Sequence, residues 1–178
     1  MIAGMEKVQE LIEVPLSREE LAVRYRDLCE DPLFANVPGK IEIDPWGRMV
    51  MSPASVYHGV VQARLARILA SLGGETMVET PIATLGGLFA PDVTWASGQF
   101  MGMHGRENPL MAAPEVCIEV VSPSNSIQEL KEKTQAYLAS GAHEVWIVYP
   151  QSKRCEFHGT QGLLERSAYA VDLGGLFL

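Results

Sequence analysis

The feature that most restricts the possible folds is an apolar run with one carboxylate inside it, Val116-Cys117-Ile118-Glu119-Val120-Val121. Its β-branched residues are typical of a strand, and the Ser122-Pro123-Ser124 segment that follows is typical of a strand end. An ionised carboxylate inside a buried strand is costly unless it is paired with a cation, protonated or bound to a metal. The run therefore predicts a buried strand and, at Glu119, a side chain that needs a partner.

The order of the other elements predicts the fold class. Ser17 with Glu20, and Ser126 with Glu129, have the spacing of capping boxes, which mark helix starts. The patterns predict a helix from Ser17 to about Pro32, a hairpin at 40–51, a helix from about 53 to 72, strands at 76–80 and 88–95, a surface loop at 97–113, a strand at 116–121, a helix from Ser126 to about Gly141, and strands at 144–149 and 154–158. This order indicates an α/β fold with a mixed central sheet flanked by helices.

The domain organisation follows from the same patterns. Residues 1–36 are predicted to form an added N-terminal helical extension, and residues 37–178 a single domain. The chain has 178 residues, of which 47% are hydrophobic, so it can bury a sizeable core. This composition excludes a disordered or fibrous protein.

Cysteine usage and hydropathy predict the compartment. Cys29, Cys117 and Cys155 are scattered without metal-ligand spacing, which argues against a disulfide scaffold and for a reducing environment. No apolar run reaches the length of about 18 residues that a membrane span needs. The first residues carry acids where a signal peptide carries a basic region. We therefore expect a cytoplasmic protein with no membrane association.

The charge balance counts against nucleic-acid binding without excluding it. The chain has 14 basic and 22 acidic residues, a formal net charge of −8. Residues 1–44 contain ten acidic and five basic residues, whereas residues 45–178 contain twelve and nine. If some of the later acidic residues hold a metal, the effective charge of the remaining chain is close to neutral. Phosphate backbones need basic contacts, so the charge weakens this hypothesis only partly.

A second carboxylate has a setting similar to that of Glu119. Asp92 lies in the strand-like segment 90–95, and two carboxylates on neighbouring strands can converge on one hard cation such as Mg²⁺. Lys133 lies four residues after Glu129 and therefore on the same helix face. A lysine near a metal site can stabilise developing negative charge. A solvated ion pair on the helix surface is the alternative for Lys133.

The order of these motifs resembles a large family of bacterial proteins described as restriction endonucleases. The segments that carry the resemblance are Met51-Ser52-Pro53 with His58, Pro91-Asp92, Glu119-Val120-Val121-Ser122-Pro123-Ser124, Glu129-Leu130-x-x-Lys133-x-x-x-Tyr137 and Gly141-Ala142-x-Glu144-Val145-Trp146-x-Val148. They extend from about Ile41 to His158. That family is similar in fold to the PD-(D/E)xK nuclease superfamily, which implies a restriction-endonuclease-like sheet with a divalent metal at its edge.

The resemblance also implies roles for individual residues. Asp92 is the first implied metal ligand, Glu119 the second, and the backbone carbonyl of Val120 the third. The superfamily has a lysine two residues after the second carboxylate, where this chain has Val121. Lys133 on the next helix is the natural substitute, because the family shows a lysine there.

The remaining polar residues give weaker functional signals. His58 and Gln62 share one helix face and can reach a metal site or a phosphate, although a local hydrogen bond explains His58 equally well. Arg64 and Arg67 are more typical of a solvated helix face than of phosphate contacts. Tyr137 is predicted to be a core residue.

Two functional hypotheses follow from the sequence. The first is an endonuclease that uses Mg²⁺ or Mn²⁺, with Asp92, Glu119, Lys133 and His58 as catalytic residues and nucleic acid, DNA in the first place, as substrate. Cutting both strands would need two subunits at this size, so we expect a homodimer, with the segment 100–103 as a candidate interface. The second hypothesis is a catalytically inactive interaction or regulatory module on the same fold. The acidic surface and the missing lysine at position 121 favour this second hypothesis.

Overall fold

The computed structural model describes residues 14–34, 40–51 and 55–177. Within them, the helices and strands are α1 (Arg18–Glu30), β1 (Glu42–Ile43), β2 (Met49–Val50), α2 (Val56–Leu69), β3 (Glu75–Val78), β4 (Ile82–Thr84), β5 (Gly87–Phe89), β6 (Val93–Ala96), α3 (Gly98–His104), β7 (Val116–Val120), α4 (Ile127–Ala139), β8 (Glu144–Tyr149), β9 (Arg154–Gly159) and β10 (Gly162–Leu164). A short 3₁₀ turn, Ala70–Leu72, extends α2. The Ser52-Pro53 part of the motif before His58 lies outside the described residues.

The strands form a large mixed sheet and a small antiparallel sheet. The large sheet has six strands in the order β10-β9-β8-β7-β6-β3, and the small sheet has the order β2-β1-β5-β4. Strands β7 and β8 are parallel, so the chain must cross over between them, and α4 is that crossover. The predicted α/β class with a mixed sheet and flanking helices is confirmed. The hairpin predicted at 40–51 is also confirmed as β1 and β2, but its place in a separate small sheet was not predicted.

Buried side chains cover both faces of the large sheet. All five residues of β7 are buried, which explains why this strand has a nearly continuous apolar sequence. One face packs against Val61, Leu65 and Leu69 of α2, and the other against Leu130 and Tyr137 of α4. Glu119 thus lies on a fully buried strand with a helix layer on each side.

The helix starts follow the predicted capping residues. Ser17 Oγ accepts a hydrogen bond from the Glu20 amide at 3.2 Å, and Glu20 accepts one from the Ser17 amide at 2.8 Å, so this capping box is complete. Ser126 Oγ accepts from the Glu129 amide at 3.1 Å, but the Glu129 carboxylate accepts from Asn125 instead, at 3.2 Å. The cap of α4 is therefore half of a capping box.

The prediction of only two strands in this part of the chain, at 76–80 and 88–95, is wrong. This part of the chain forms four strands, and β4 has no predicted counterpart. The segment 90–92 separates β5 in the small sheet from β6 in the large sheet. All three residues of this connection are buried like those of a strand, although they do not pair with another strand.

The surface loop predicted at 97–113 is also wrong in part, because it contains helix α3. Ser97 Oγ accepts from the Phe100 amide at 3.1 Å and caps this helix. Phe100 is buried, whereas Met103 is 63% exposed. The seven residues of α3 are mostly glycine and methionine and show no clear apolar periodicity, which is why the sequence pattern resembles a loop. The interface at 100–103 stays a prediction.

The residues after β10 pack back onto the large sheet. Leu176 is fully buried in the cluster that contains Val61 and Trp95, and the Tyr169 ring makes an edge contact with Trp95. The Glu144 carboxylate accepts hydrogen bonds from Ser167 Oγ and the Ala168 amide, both at 2.7 Å. In the part of the chain described here, no helix combines the length and apolarity that crossing a bilayer requires.

Candidate active site

Three buried carboxylates and two lysines lie together where the two sheets meet. Glu42 comes from β1, Asp92 directly precedes β6, and Glu119 lies in β7. Lys40 precedes β1, and Lys133 projects from α4. The side chains of the three carboxylates and Lys133 are 3% to 6% exposed, and that of Lys40 is 14% exposed. We call these five residues the charge cluster.

Asp92 accepts hydrogen bonds from two sides of the charge cluster. Its Oδ2 accepts from the Val120 amide at 2.7 Å, which ties the start of β6 to the end of β7. Its Oδ1 accepts from Lys40 Nζ at 2.8 Å and lies 3.2 Å from His58 Nε2. Burial raises the pKa of Asp92, but the contacts with His58 and Lys40 outweigh it and hold the pKa at about 2. Asp92 is therefore an ionised carboxylate.

The pKa of Glu119 shifts in the opposite direction, upwards. Its Oε1 accepts from the Tyr137 hydroxyl at 2.7 Å and lies 3.6 Å from Lys133 Nζ. Burial is the main cause that raises its pKa to about 7, and the negative charges of Asp92 and Glu42 add to it, against the opposing effect of the two lysines. Two neighbouring carboxylates with pKa values this far apart are typical of acid and base pairs in active sites.

Lys133 points into the protein, towards the carboxylates. Its Nζ lies 2.9 Å and 2.8 Å from the two carboxylate oxygens of Glu42 and 3.9 Å from Glu129. Burial lowers the pKa of Lys133, but Glu119 and Glu42 more than offset it, so the pKa is raised. Lys133 is thus a buried, charged ammonium rather than part of a solvated pair with Glu129.

Three members of this site were not predicted from the sequence. Glu42 accepts from the Ala90 amide at 3.0 Å as well as from Lys133, whereas its sequence pattern indicates only a strand of the hairpin. Lys40 carries no sequence signal, because its partners lie about fifty residues away. Tyr137 is a core residue as predicted, and it also donates to Glu119. The signal that could have identified Glu42 is its position between two isoleucines, which parallels the apolar setting of Glu119.

The other candidate residues divide into two groups. His58 contacts Asp92, and Gln62 Nε2 lies 3.4 Å from Asp92 Oδ1, so the structure brings both to the charge cluster. Arg64 instead donates to the carbonyls of Gly175 and Leu176 at 3.4 Å. It supports the C-terminal segment rather than a phosphate. Arg67 is exposed.

The acceptor groups of Asp92 and Glu119 are oxygens, which suit a hard cation. Across the described ranges of the chain, no three His, Cys, Asp or Glu side chains form a group that could hold a metal. The expected ligand set has only two carboxylates and the Val120 carbonyl. Mg²⁺ commonly binds through one or two carboxylates and keeps several waters. The described side chains therefore offer a hard cation two carboxylates at most and form no metal cage by themselves.

Comparison with known families identifies the chain. The model of the family Uma2, described as putative restriction endonuclease, matches residues 23–173, a span that includes all five members of the charge cluster. The chain belongs to this family. No curated protein matches it. The resemblance carried by the motifs is therefore confirmed, and this Uma2 member is assigned to a family described as nucleases.

A solved structure supports the fold. The crystal structure of a putative nuclease belonging to DUF820, from Anabaena variabilis, is similar to this chain with a TM-score of 0.64. The alignment covers 91% of each chain, at 15% sequence identity. At that identity the similarity concerns the fold alone, and it extends over nearly the whole chain.

Proposed function

We propose that this Uma2 protein is a metal-dependent endonuclease that hydrolyses phosphodiester bonds, with DNA as the expected substrate. The observation that supports this most is the meeting of Asp92, Glu119 and Lys133 in one buried cluster, in a chain whose family is described as restriction endonucleases. A buried site with divergent carboxylate pKa values is a functional-site candidate on physical grounds alone.

Asp92, Glu119 and the Val120 carbonyl are the groups that would hold Mg²⁺ or Mn²⁺. The Val120 amide donates to Asp92 Oδ2 at 2.7 Å, so the backbone of this residue lies beside the first candidate ligand. A bound divalent cation would supply Lewis-acid stabilisation of the phosphate. A bound cation would also favour the ionised form of Glu119, whose pKa of about 7 leaves it partly protonated near neutral pH.

The protein's own side chains would then position and stabilise the substrate. Lys133 supplies a fixed positive charge for the non-bridging phosphate oxygens, and Glu42 holds its ammonium in place. His58 lies beside Asp92 and is more exposed than the carboxylates, at 20% of its side chain. It can therefore hold or move a proton on the solvent side of the site. A homodimer, which would bring two such sites to the two strands, is part of this proposal.

Lys133→Met tests the proposal. In a cleavage assay on plasmid and single-stranded DNA with Mg²⁺ or Mn²⁺, we expect the variant to lose activity by about 10²–10³-fold, as is typical when one charge-stabilising donor is removed. It should still bind Mn²⁺ in a calorimetric titration. Lys131→Met, which changes an exposed lysine on the same helix, is the control and should cleave like the parent. Full activity in Lys133→Met would contradict the assigned role.

The inactive module is the second candidate, and two observations favour it. The carboxylates are nearly closed off from solvent, and Val121 stands where the superfamily has its lysine. If the parent cleaves no DNA or RNA with either metal, the module replaces the enzyme as the better explanation of the fold.

A further inference from the structure

Lys40 is in direct contact with Asp92. Its Nζ lies 2.8 Å from Asp92 Oδ1 and 2.9 Å from the Ala90 carbonyl oxygen, and 3.9 Å from Glu42. The Lys40 ammonium thus lies in direct contact with the carboxylate that is the first candidate metal ligand.

A divalent cation at Asp92 would have to displace this ammonium. Asp92 Oδ2 faces the Val120 amide within the sheet, whereas Oδ1 faces Lys40 and His58, the more exposed side of the site, from which a cation would arrive. Lys40 lies at that oxygen, with His58 and Gln62 beside it. Two cations on one carboxylate oxygen repel each other at short range. In the structure, Lys40 thus holds the position beside Asp92 that the metal needs.

Lys40 is also less constrained than Lys133. Glu42 binds Lys133 through both carboxylate oxygens, and the Lys133 side chain is 5% exposed. Lys40, at 14% exposed, lines a cavity of about 250 Å³ together with Tyr25, Ile41, Glu79, Pro81 and Ala90. A lysine has a flexible four-carbon stem, so the ammonium can leave Asp92 without a change of the backbone.

We propose that Lys40 is a further catalytic lysine, which neutralises Asp92 until a divalent cation displaces it and then contacts the scissile phosphate. This inference rests on the proposed nuclease function. In the superfamily, a lysine at the position of Val121 supplies a positive charge to the site. Lys40 would supply part of that charge here. Lys40 and His58 both contact Asp92 Oδ1 and are both more exposed than the three carboxylates, so they form the solvent side of the site.

The first measurement is metal binding without nucleic acid. Calorimetric titration with Mn²⁺ should show about tenfold tighter binding by Lys40→Met and by Lys40→Gln than by the parent, because a competing internal cation lowers the apparent affinity. Lys131→Met removes the same charge from an exposed position and should bind Mn²⁺ like the parent. Thermal unfolding of each variant identifies any that has lost its fold, and the glutamine variant keeps a donor for the Ala90 carbonyl.

The second measurement is single-turnover cleavage at saturating Mn²⁺. We expect Lys40→Met and Lys40→Gln to cleave about 10²-fold more slowly than the parent although they bind the metal more tightly. A purely structural lysine would not move the two quantities in opposite directions. Metal binding that is unchanged or weaker in both variants overturns the inference, and so does undiminished cleavage. If the parent never cleaves, the proposed function and the catalytic role fall together, whereas the Mn²⁺ titration still decides whether Lys40 competes with the metal.

Discussion

Glu119 and Asp92 are neighbouring buried carboxylates whose pKa values move in opposite directions. Asp92 has hydrogen bonds from an amide and an ammonium, whereas Glu119 has one from a phenol hydroxyl and lies 3.6 Å from the Lys133 ammonium. Burial raises the pKa of both carboxylates, but the contacts of Asp92 with His58 and Lys40 outweigh burial, whereas at Glu119 burial prevails. This difference can be measured as a pH dependence of stability.

We predict that Glu119 makes the folded protein less stable as the pH rises from about 5 to 7. Its pKa in the folded state is about 7, against an ordinary value of 4.5, so the folded state binds the extra proton within that window. The free energy of unfolding then falls with rising pH, by an amount on the order of 3 kcal/mol. Glu119→Gln removes this dependence.

Urea denaturation at four pH values between about 5 and 8, with a chelator present, measures this effect across the window in which the linkage acts. The parent should lose stability relative to Glu119→Gln as the pH rises through the lower part of this range, while Glu75→Gln, at an exposed position on β3, should follow the parent. A constant difference between the parent and Glu119→Gln across the whole range would show that Glu119 is ionised throughout.

Among the elements, the β4–β5 turn holds the small sheet against the charge cluster. Gly87 has φ 135°, and a Cβ atom there would lie 2.7 Å from the Ile43 carbonyl oxygen and 3.1 Å from the Phe89 ring. Ile43 belongs to β1, which also carries Glu42. The close approach of β1 and β5 therefore depends on the absence of a side chain at position 87.

We predict that Gly87→Ala lowers the free energy of unfolding by at least about 2 kcal/mol, from the strained backbone and the contact with Ile43. Gly102→Ala is the matched control, since Gly102 is exposed on α3 and a Cβ atom placed there would meet no atom within 4 Å. That control should be neutral or more stable by up to about 1 kcal/mol. Equal stability of the two variants in urea denaturation would mean that the turn tolerates a side chain.

For the molecule as a whole, the C-terminal segment completes the core on the α2 side of the large sheet. Leu176 is fully buried, Arg64 donates to its carbonyl, and Glu144 holds Ser167 and Ala168. Near the other end of the chain, α1 buries Leu21 against the small sheet. The division into a 1–36 extension and a 37–178 domain stays a prediction, since residues 35–39 lie outside the described ranges.

We predict that Leu176→Ala lowers the free energy of unfolding by about 2–5 kcal/mol, the usual cost of removing a large side chain from a packed core. Leu163→Ala on β10 is the control: it removes the same atoms from a leucine that is 68% exposed, and surface changes of this kind stay within about 0.5 kcal/mol. Urea denaturation measures both. A small effect at Leu176 would show that the C-terminal segment contributes little to the core.

The sequence by itself determined the elements whose signals are local. Capping serines lie close in sequence to the amides that they accept from, so the helix starts predicted at Ser17 and Ser126 are correct. The strand predicted from the apolar run of β7 is also correct, because that run reflects burial on both faces. The same run identifies Glu119, because a carboxylate among apolar strand residues is costly wherever the strand lies. Neither helix α3 nor the boundary between β5 and β6 was predicted from the sequence. Burial alone does not distinguish a strand from a connection or a short helix.

Only the tertiary structure decided which charges meet. Lys40 and Asp92 are 52 residues apart, and Lys133 and Glu42 are 91 residues apart. Neither pair has a local pattern, because their contact depends on how the small sheet docks beside β7. The energy of a buried ion pair depends on the distance and burial of both partners. A sequence shows the charged residues, but the distances that pair them exist only once the chain has folded.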